Sequence, residues 1–198
     1  MSAPALPSGW VATVVSGDPP SWETSTTTPD SAPNAAFVVD QDGISDKTLD
    51  SRTINISSAA AQISFRNWFN TEHDPPPTEV FWDGYVLEVC RITGSETCGP
   101  TSSAFVDVTD PSIGGAFVSG GYTGEIDGTA SNPLAGRQAW SGISGGGASP
   151  VYIDTVITLG PAVNGQPIKL RFRMGTDEAV AAPGARVDGL SITGGSCP

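Results

Sequence analysis

The chain has 198 residues, and its 21 acidic side chains outnumber its 9 basic ones, giving a net charge of −12. Nucleic acids and anionic membrane surfaces attract clustered Lys and Arg, so this charge argues against both partners. With 24 glycines, 17 prolines and no long segment of helical periodicity, the sequence predicts an all-β protein of many short strands. A length of this order suits a single domain over residues 1–198.

Several segments alternate between apolar and polar residues, as strands with one buried face do. A first strand is predicted over residues 6–15, and a Thr-, Ser- and Pro-rich surface loop over 24–35. Residues 62–70 place Ile63, Phe65 and Phe69 on one side, and residues 151–159 and 168–174 repeat the pattern. These strands predict a β-sandwich.

An acidic turn containing Asp40, Asp42 and Asp46 follows the apolar residues 37–39. Its side-chain and backbone oxygens are close in sequence, and calcium takes about six to eight oxygen ligands. The turn lacks the later Glu of an EF-hand, and strands rather than helices flank it. Farther along, Glu72 lies in a polar loop, where it is a solvated carboxylate, a cation ligand or a general acid.

Two further acids stand at the head of rows of apolar residues. Asp83 opens the segment 83–89 on the face that Tyr85 and Leu87 share, and Asp188 precedes Leu190 in the same way. Burying a lone carboxylate costs several kcal/mol or more, unless a hydrogen bond or a cation compensates it. The repetition therefore predicts one shared metal ion at the edge of the sandwich.

The three cysteines indicate an oxidising compartment. Cys90 and Cys98 flank a short polar segment that suits a hairpin turn, and we predict a disulfide that closes it. Cys197 is left over, as a free thiol, an intermolecular link or half of a missing pair. The single histidine, His73, has no metal-site spacing with the cysteines, so zinc is not expected.

No apolar run is long enough to span a bilayer, and the N-terminus lacks the features of a signal peptide. We therefore expect a mature or excised segment of a larger secreted protein.

A glycine-rich stretch over residues 114–147 contains Tyr122, Arg137 and Trp140. An aromatic face beside a planar hydrogen-bond donor suits a sugar-stacking site, and these three residues are the candidate ligand-binding set. The alternative is that Trp140 and Arg137 pack this long segment against the sheet.

The joint order of motifs resembles the MAM-like jelly-roll modules of bacterial secreted multidomain proteins, including some immune-inhibitor-A-type metallopeptidases. The resemblance covers about residues 6–192 and rests on a set of short patterns. They are D-x-x-x-x-x-D at residues 40–46, F-x-x-x-F at 65–69, D-G-x-V-L-E at 83–88, G-G-Y-x-G at 120–124, L-A-G-R-x-A-W-S-G at 134–142, R-F-R-x-G-T-D at 171–177 and V-D-G-L-S-I at 187–192.

This resemblance implies a two-sheet antiparallel jelly-roll with a calcium ion near its edge and no catalysis of its own. The acids that match the pattern are Asp40, Asp46, Glu72, Asp83 and Asp188. The chain departs from the pattern at residues 185–187, where related modules often have an aromatic before the last Asp, and in its disulfide hairpin.

The sequence leads first to a non-catalytic, calcium-stabilised extracellular module that attaches a parent protein to polysaccharide or to another cell surface ligand. A second hypothesis is a glycoside-active enzyme on the same sandwich, with Glu72 and Glu88 as its two carboxylates. A third is a structural or assembly subunit that makes contacts through Cys197 and exposed strand edges. A serine or cysteine nucleophile has no matching signature.

Overall fold

A computed structural model describes residues 5–197, and this part of the chain is almost entirely strand and loop. Its one helical turn in that range is a 3₁₀ turn at Pro161–Val163, and no helix there is long and apolar enough to cross a membrane. The strands are, in chain order, β1 (Val11–Ser16), β2 (Glu23–Ser25), β3 (Ala35–Val38), β4 (Ser45–Asp50), β5 (Ile54–Ile56), β6 (Gln62–Asn70), β7 (His73–Asp74), β8 (Val80–Phe81), β9 (Gly84–Arg91), β10 (Val106–Asp107), β11 (Ala116–Ser119), β12 (Gly124–Glu125), β13 (Gln138–Ala139), β14 (Ile153–Thr158), β15 (Pro167–Thr176), β16 (Gly184–Thr193) and β17 (Gly195–Ser196).

The strands form two antiparallel sheets that enclose one main core. The six-stranded sheet has the order β11-β14-β6-β16-β3-β2. In the seven-stranded sheet, β15 pairs with β4 and β5 along one edge and with β9 along the other, and β1, β10 and β17 extend it. Two short two-stranded pairs, β7-β8 and β12-β13, lie beside them. The prediction of an all-β, two-sheet antiparallel sandwich is confirmed.

Alternation along the strands sets which side chains fill the core. In β6 burial alternates at every residue, with Ile63, Phe65 and Phe69 inside. From the opposite sheet, Phe172 meets Phe65 with ring centroids 5.4 Å apart in an edge-to-face arrangement. This geometry adds to the energy that area burial alone provides.

A β-bulge in β16 changes the face on which its side chains lie. Asp188 pairs with Arg66, but the next paired residue, Ser191, lies opposite Ser64, so β16 carries one extra residue. That residue reverses the alternation, because side chains point to opposite faces with a period of two. Leu190 consequently packs against the core, as does Ile192, whereas Asp188 does not share their face. The prediction that Asp188 heads a core-facing row is wrong for this reason.

Strand β9 is buried on both faces. Tyr85 and Leu87 belong to the main core, and Val86 belongs to a second cluster with Ile126, Leu134 and Ala139. The glycine-rich segment over residues 120–144 provides this cover. It approaches the strand so closely that a Cβ on Gly84 would lie 2.7 Å from the carbonyl oxygen of Trp140.

The predicted disulfide between Cys90 and Cys98 is confirmed. Both cysteines are buried and pack against Phe105. The guanidinium of Arg171 lies 3.6 Å from the centre of the Phe105 ring and forms a bidentate ion pair with Asp50. The disulfide loop is thus attached to the middle of β15. Cys197 is an exposed free thiol.

Candidate metal centre

Four carboxyl groups meet where strands of both sheets end. Asp40 follows β3 and Glu72 follows β6, both in the six-stranded sheet. Asp83 immediately precedes β9, and Asp177 immediately follows β15, in the seven-stranded sheet. We call Asp40, Glu72, Asp83 and Asp177 the acid cluster. Because each sheet contributes two members, the cluster bridges the sheets at one end of the sandwich.

The members of the acid cluster lie close together. Carboxylate oxygens of Glu72, Asp83 and Asp177 all lie within 4.8 Å of one another. The carboxyl of Asp40 contacts that of Asp83. Asp40, Asp83 and Asp177 are buried, and Glu72 is half-buried. Burial at this density leaves little water to solvate four negative charges.

Hydrogen bonds satisfy only part of the acid cluster. Asp83 Oδ1 accepts from the Asp177 backbone N–H at 2.6 Å and from Asn132 Nδ2 at 3.1 Å. Asp40 Oδ2 accepts from the Glu72 N–H at 2.9 Å. The remaining buried oxygens, Asp40 Oδ1, Glu72 Oε2 and Asp83 Oδ2, accept no hydrogen bond from any residue between 5 and 197.

Three unsatisfied carboxylate oxygens in one place need protons or a cation. The Asp40 and Asp83 carboxyls form a hydrogen bond with each other when one of them keeps its proton, and a cation would serve the deprotonated groups. An unpaired buried polar group costs about 1–3 kcal/mol, and more when it is charged. Carboxylate oxygens from several chain segments are the donor set that hard divalent cations take. The residues present therefore fit a calcium ion.

The pKa values of all four carboxyls in the acid cluster are raised, as expected for acids without a positively charged partner. Burial raises the pKa of Asp40 and of Asp83, and the contact between the two carboxyls raises that of Asp83 further. Burial, with Asp177 and Asp40 nearby, raises the pKa of Glu72 to about 7. Burial also raises the pKa of Asp177. Each shift has the sign expected when the charged form is desolvated and faces like charges.

The backbone around the acid cluster is held from several directions. The Asp83 carbonyl accepts from the hydroxyls of Thr71, at 2.9 Å, and Ser141. Gly184, at a φ of +102°, brings the start of β16 so close to β3 that a Cβ there would lie 2.1 Å from the Val38 carbonyl oxygen. Only glycine adopts this conformation without strain, and the approach fixes the chain just before Asp40.

The structure does not bring the other three predicted ligands into the acid cluster. Asp46 forms a bidentate ion pair with Arg173, at 2.9 and 2.8 Å. Asp188 accepts hydrogen bonds from the backbone N–H and the hydroxyl of Ser31, at 2.7 and 3.0 Å. Because of the bulge in β16, it lies on the face opposite to Leu190. Asp42 is exposed and influences Glu72 only through its charge. These placements correct the predicted ligand set.

Two members of the site were not singled out from the sequence. In the sequence Asp177 is only the last residue of the R-F-R-x-G-T-D pattern, and no pattern marks Asn132. Asp177 immediately follows β15 but has the alternation of Lys169 and Arg171, not that of the apolar row, so the period-two pattern gave no signal for it. Asn132 arrives from a distant loop and donates to the Trp82 and Gly175 carbonyl oxygens and to Asp83.

The predicted sugar-stacking set does not form a platform. Trp140 is completely buried, and its ring contacts Tyr85 and Tyr122 at 4.9 and 4.7 Å between centroids. The Tyr122 hydroxyl donates to Asp107 Oδ2 at 3.0 Å. Arg137 bridges Glu88 and Asp107. The packing interpretation therefore replaces the stacking one.

The predicted glycosidase pair is also separated. Glu88 lies five residues along β9 from Asp83, and Glu72 stands at the Asp83 end. At about 3.3 Å per residue, the two glutamates are roughly 16 Å apart along the strand. Glycosidase carboxylates lie about 5–9.5 Å apart. Glu88 is buried in an ion pair with Arg137, so it does not serve as the second carboxylate.

No protein-family model and no curated protein matches the chain. Among solved structures, it is similar to the K2 cleaved adhesin domain of Lys-gingipain, with 17% identity, a TM-score of 0.51 and coverage of 97% of this chain and 92% of that one. It is also similar to the K1 cleaved adhesin domain of Lys-gingipain from Porphyromonas gingivalis W83, with 12% identity and a TM-score of 0.50. That alignment covers 95% of this chain and 92% of the adhesin domain.

A carbohydrate-binding module of the β-sandwich superfamily aligns with a TM-score of 0.46 at 12% identity, covering 93% of this chain and 57% of that one. At these identities the likeness to the two adhesin domains establishes the fold: the chain is a β-sandwich of the kind found in those domains.

Proposed function

We propose that this chain is a non-catalytic extracellular binding module, held closed at one end by calcium, that attaches a larger protein to carbohydrate or to another surface ligand. The observation that carries the calcium proposal is the acid cluster, with its three buried carboxylate oxygens that accept no hydrogen bond within the described chain. Asp40, Glu72, Asp83 and Asp177 would hold the ion, which would neutralise their charge and link the two sheets.

The proposal of attachment draws on the molecules that share the fold. The two gingipain domains are described as adhesin domains, and this chain covers 92% of each. A role in adhesion is therefore the function we propose for the chain. The separation of Glu72 from Glu88 removes the pair of carboxylates on which the glycosidase hypothesis was based.

Secretion, a multidomain parent and kinship with MAM-like modules belong to the same proposal. The disulfide supports an oxidising compartment. Three of the five acids that the resemblance implied, Asp40, Glu72 and Asp83, belong to the acid cluster and support the kinship, whereas Asp46 and Asp188 lie outside it.

Calorimetric titration of metal-free protein with calcium, and with magnesium as the control, tests the metal proposal. We expect calcium to bind at a single site and to raise the melting temperature by several degrees, since ligand at about a hundred times Kd adds roughly 2.7 kcal/mol. Elemental analysis of the starting sample establishes that it is free of metal. A titration without heat, together with an unchanged melting temperature, would disprove the proposal.

A further inference from the structure

The outer face of the six-stranded sheet carries a row of aromatic and charged side chains that crosses four strands. Arg186 on β16 lies opposite Trp68 on β6 and opposite Phe37 on β3, and Phe37 lies opposite Glu23 on β2. Directly opposed residues on a sheet share a face, so these side chains stand side by side. Phe37 and Trp68 are each partly exposed.

Arg186 is held in this row without an acidic partner. Its guanidinium carbon lies 4.5 Å from the ring centres of both Phe37 and Trp68. The side chain is only 7% exposed, yet within residues 5–197 it makes no ion pair, and its one hydrogen bond runs from Nε to the Thr27 carbonyl at 3.3 Å. Arg171, the other deeply buried arginine, is neutralised by Asp50.

The Arg186 guanidinium lies over the faces of both rings, and its two Nη groups remain for a ligand. Neither Nη group has a hydrogen-bond acceptor among the described residues, and burial lowers the pKa of this arginine. A planar, pre-oriented fork of this kind binds paired oxygen atoms in a fixed geometry.

A second row runs parallel to the first and supplies acceptors as well as donors. Asp154 on β14, Arg66 on β6 and Asp188 on β16 lie opposite one another. Asp154 Oδ1 lies 2.7 Å from Arg66 Nη1, and the Asp154 side chain is 75% exposed. Tyr152 precedes β14 on the same side, partly exposed, and its hydroxyl donates to the Thr28 carbonyl at 3.1 Å.

The loop between β2 and β3 packs against both rows. It contacts each of the four polar side chains in turn, through Thr27 to Arg186, Thr28 to Tyr152, Asp30 to Arg66 and Ser31 to Asp188. These contacts hold the four side chains in place before any ligand arrives, which limits the entropy lost on binding.

We propose that this face, formed by Phe37, Trp68, Tyr152, Arg186 and Asp154, is the saccharide-binding site of the module and that its ligand is a neutral polysaccharide. The inference rests on the proposed binding function. Partly exposed aromatic side chains provide apolar contact for pyranose rings, while the free guanidinium edge and the exposed carboxylate bind hydroxyl pairs.

The charge of the face selects a neutral ligand over an acidic one. Arg66 and Arg186 stand against four acids, which are Glu23, Asp30, Asp154 and Asp188. The whole chain carries a further excess of acid, with a net charge of −12. A polyanion would meet repulsion from both, whereas neutral hydroxyls would not.

Affinity electrophoresis tests the site, with gels that contain xylan, mixed-linkage β-glucan or galactomannan, and with polygalacturonate as the acidic comparison. We expect at least one neutral polysaccharide to retard the protein. Trp68→Ala and Arg186→Lys should each weaken that binding tenfold or more, because lysine keeps the charge but loses the fork. Arg91→Ala, which removes a partly exposed arginine at the end of β9, is the matched control and should bind as the parent does.

Thermal melts establish that each variant is folded, and Trp68→Phe provides a second readout. Saccharide should shift the tryptophan fluorescence of the parent and leave that of Trp68→Phe unchanged. If a neutral polysaccharide retards the parent and all variants equally, the proposed function survives and this site is wrong. Retardation by polygalacturonate alone overturns the neutral ligand class. If no polysaccharide retards the parent, carbohydrate attachment fails, and this site fails with it.

Discussion

At the scale of single residues, the acid cluster has more buried carboxylate oxygens than the surrounding hydrogen-bond donors satisfy. The Asp177 and Glu72 N–H groups and Asn132 satisfy some of the oxygens and leave three buried ones without a hydrogen bond within residues 5–197. Without a cation the cluster relieves its repulsion by keeping protons, which is what the raised pKa values of Glu72 and Asp83 express. With a cation the same oxygens become ligands.

Replacing Asp83 by Asn should therefore have opposite effects in the two states. In calcium we expect Asp83→Asn to lower the melting temperature by about 5–10 °C, because it removes most of the roughly 2.7 kcal/mol that the bound ion contributes. In metal-free protein the change should be neutral or stabilising, because an amide replaces a buried carboxyl that faces like charges. Differential scanning calorimetry under both conditions measures this.

Asp188→Asn is the matched control, because Asp188 is held by Ser31 and lies outside the acid cluster. Asparagine there loses one of the two acceptor oxygens that hold Ser31 and Gly189, and the resulting loss of stability should be the same with and without calcium. A calcium-dependent loss at Asp188 together with none at Asp83 would contradict the placement of the ion.

Trp140 acts through packing, and its replacement should show this. It is fully buried, and its indole N–H donates to the Gly120 carbonyl at 2.8 Å. We expect Trp140→Ala to reduce the free energy of unfolding by about 3–5 kcal/mol, the usual cost of a large cavity. Urea denaturation measures the loss, and Trp68→Ala, on the partly exposed outer face, should cost much less. Equal losses would mean that Trp68 too is a core residue.

At the scale of elements, β9 and β15 connect the disulfide loop to the acid cluster. The two strands pair over eight residues, from Ile168 opposite Arg91 to Gly175 opposite Gly84. The disulfide begins at Cys90 at one end of this ladder, and Asp83 and Asp177 stand at the other end. The ladder is thus fixed covalently at one end and, on our proposal, by an ion at the other.

Removing the disulfide should lower stability without changing calcium affinity. Closing a loop of this length contributes about 2–3 kcal/mol in the chain-entropy treatment. We expect the double variant Cys90→Ser, Cys98→Ser to lose about that much free energy of unfolding, measured in urea, while calorimetric titration gives an unchanged Kd for calcium. Cys197→Ser is the control and should be neutral, since that thiol is exposed and unbridged. A weakened calcium Kd in the double variant would show that the two ends of the ladder are coupled.

At the scale of the whole molecule, the acid cluster links the stability of the sandwich to pH. The pKa of Glu72 rises from 4.5 to about 7 in the folded chain. Between these values the folded state holds a proton that the unfolded state has released, so the free energy of unfolding falls as pH rises.

Metal-free protein should therefore melt at a higher temperature at pH 5.5 than at pH 8. Saturating calcium should reverse the order, because the ion binds the deprotonated carboxylates and competes with protons. Melting curves at both pH values, with and without calcium, test this. Glu72→Gln should reduce the pH dependence of the metal-free protein without abolishing it, because the pKa values of Asp40 and Asp83 are also raised. An unchanged slope in that variant would assign the whole effect to those other groups.

The sequence alone determined the fold class, the disulfide and part of the acid cluster. Alternation along β6 and β15 marked the core rows, because a strand buried on one face repeats with a period of two. Asp83 was identified because a carboxyl at the head of such a row is out of place. Cys90 and Cys98 were paired on their short polar spacing.

Tertiary structure decided which side chains meet. One extra residue in β16 turned Asp188 away from the face of Leu190, and a period-two pattern does not reveal such a bulge. The path of residues 120–144 over β9 buried Trp140, and long-range strand pairing brought Asp177 to Asp83 and Arg186 between two aromatic rings. These contacts join residues far apart in the chain, and local pattern contains no information about which distant strand lies opposite.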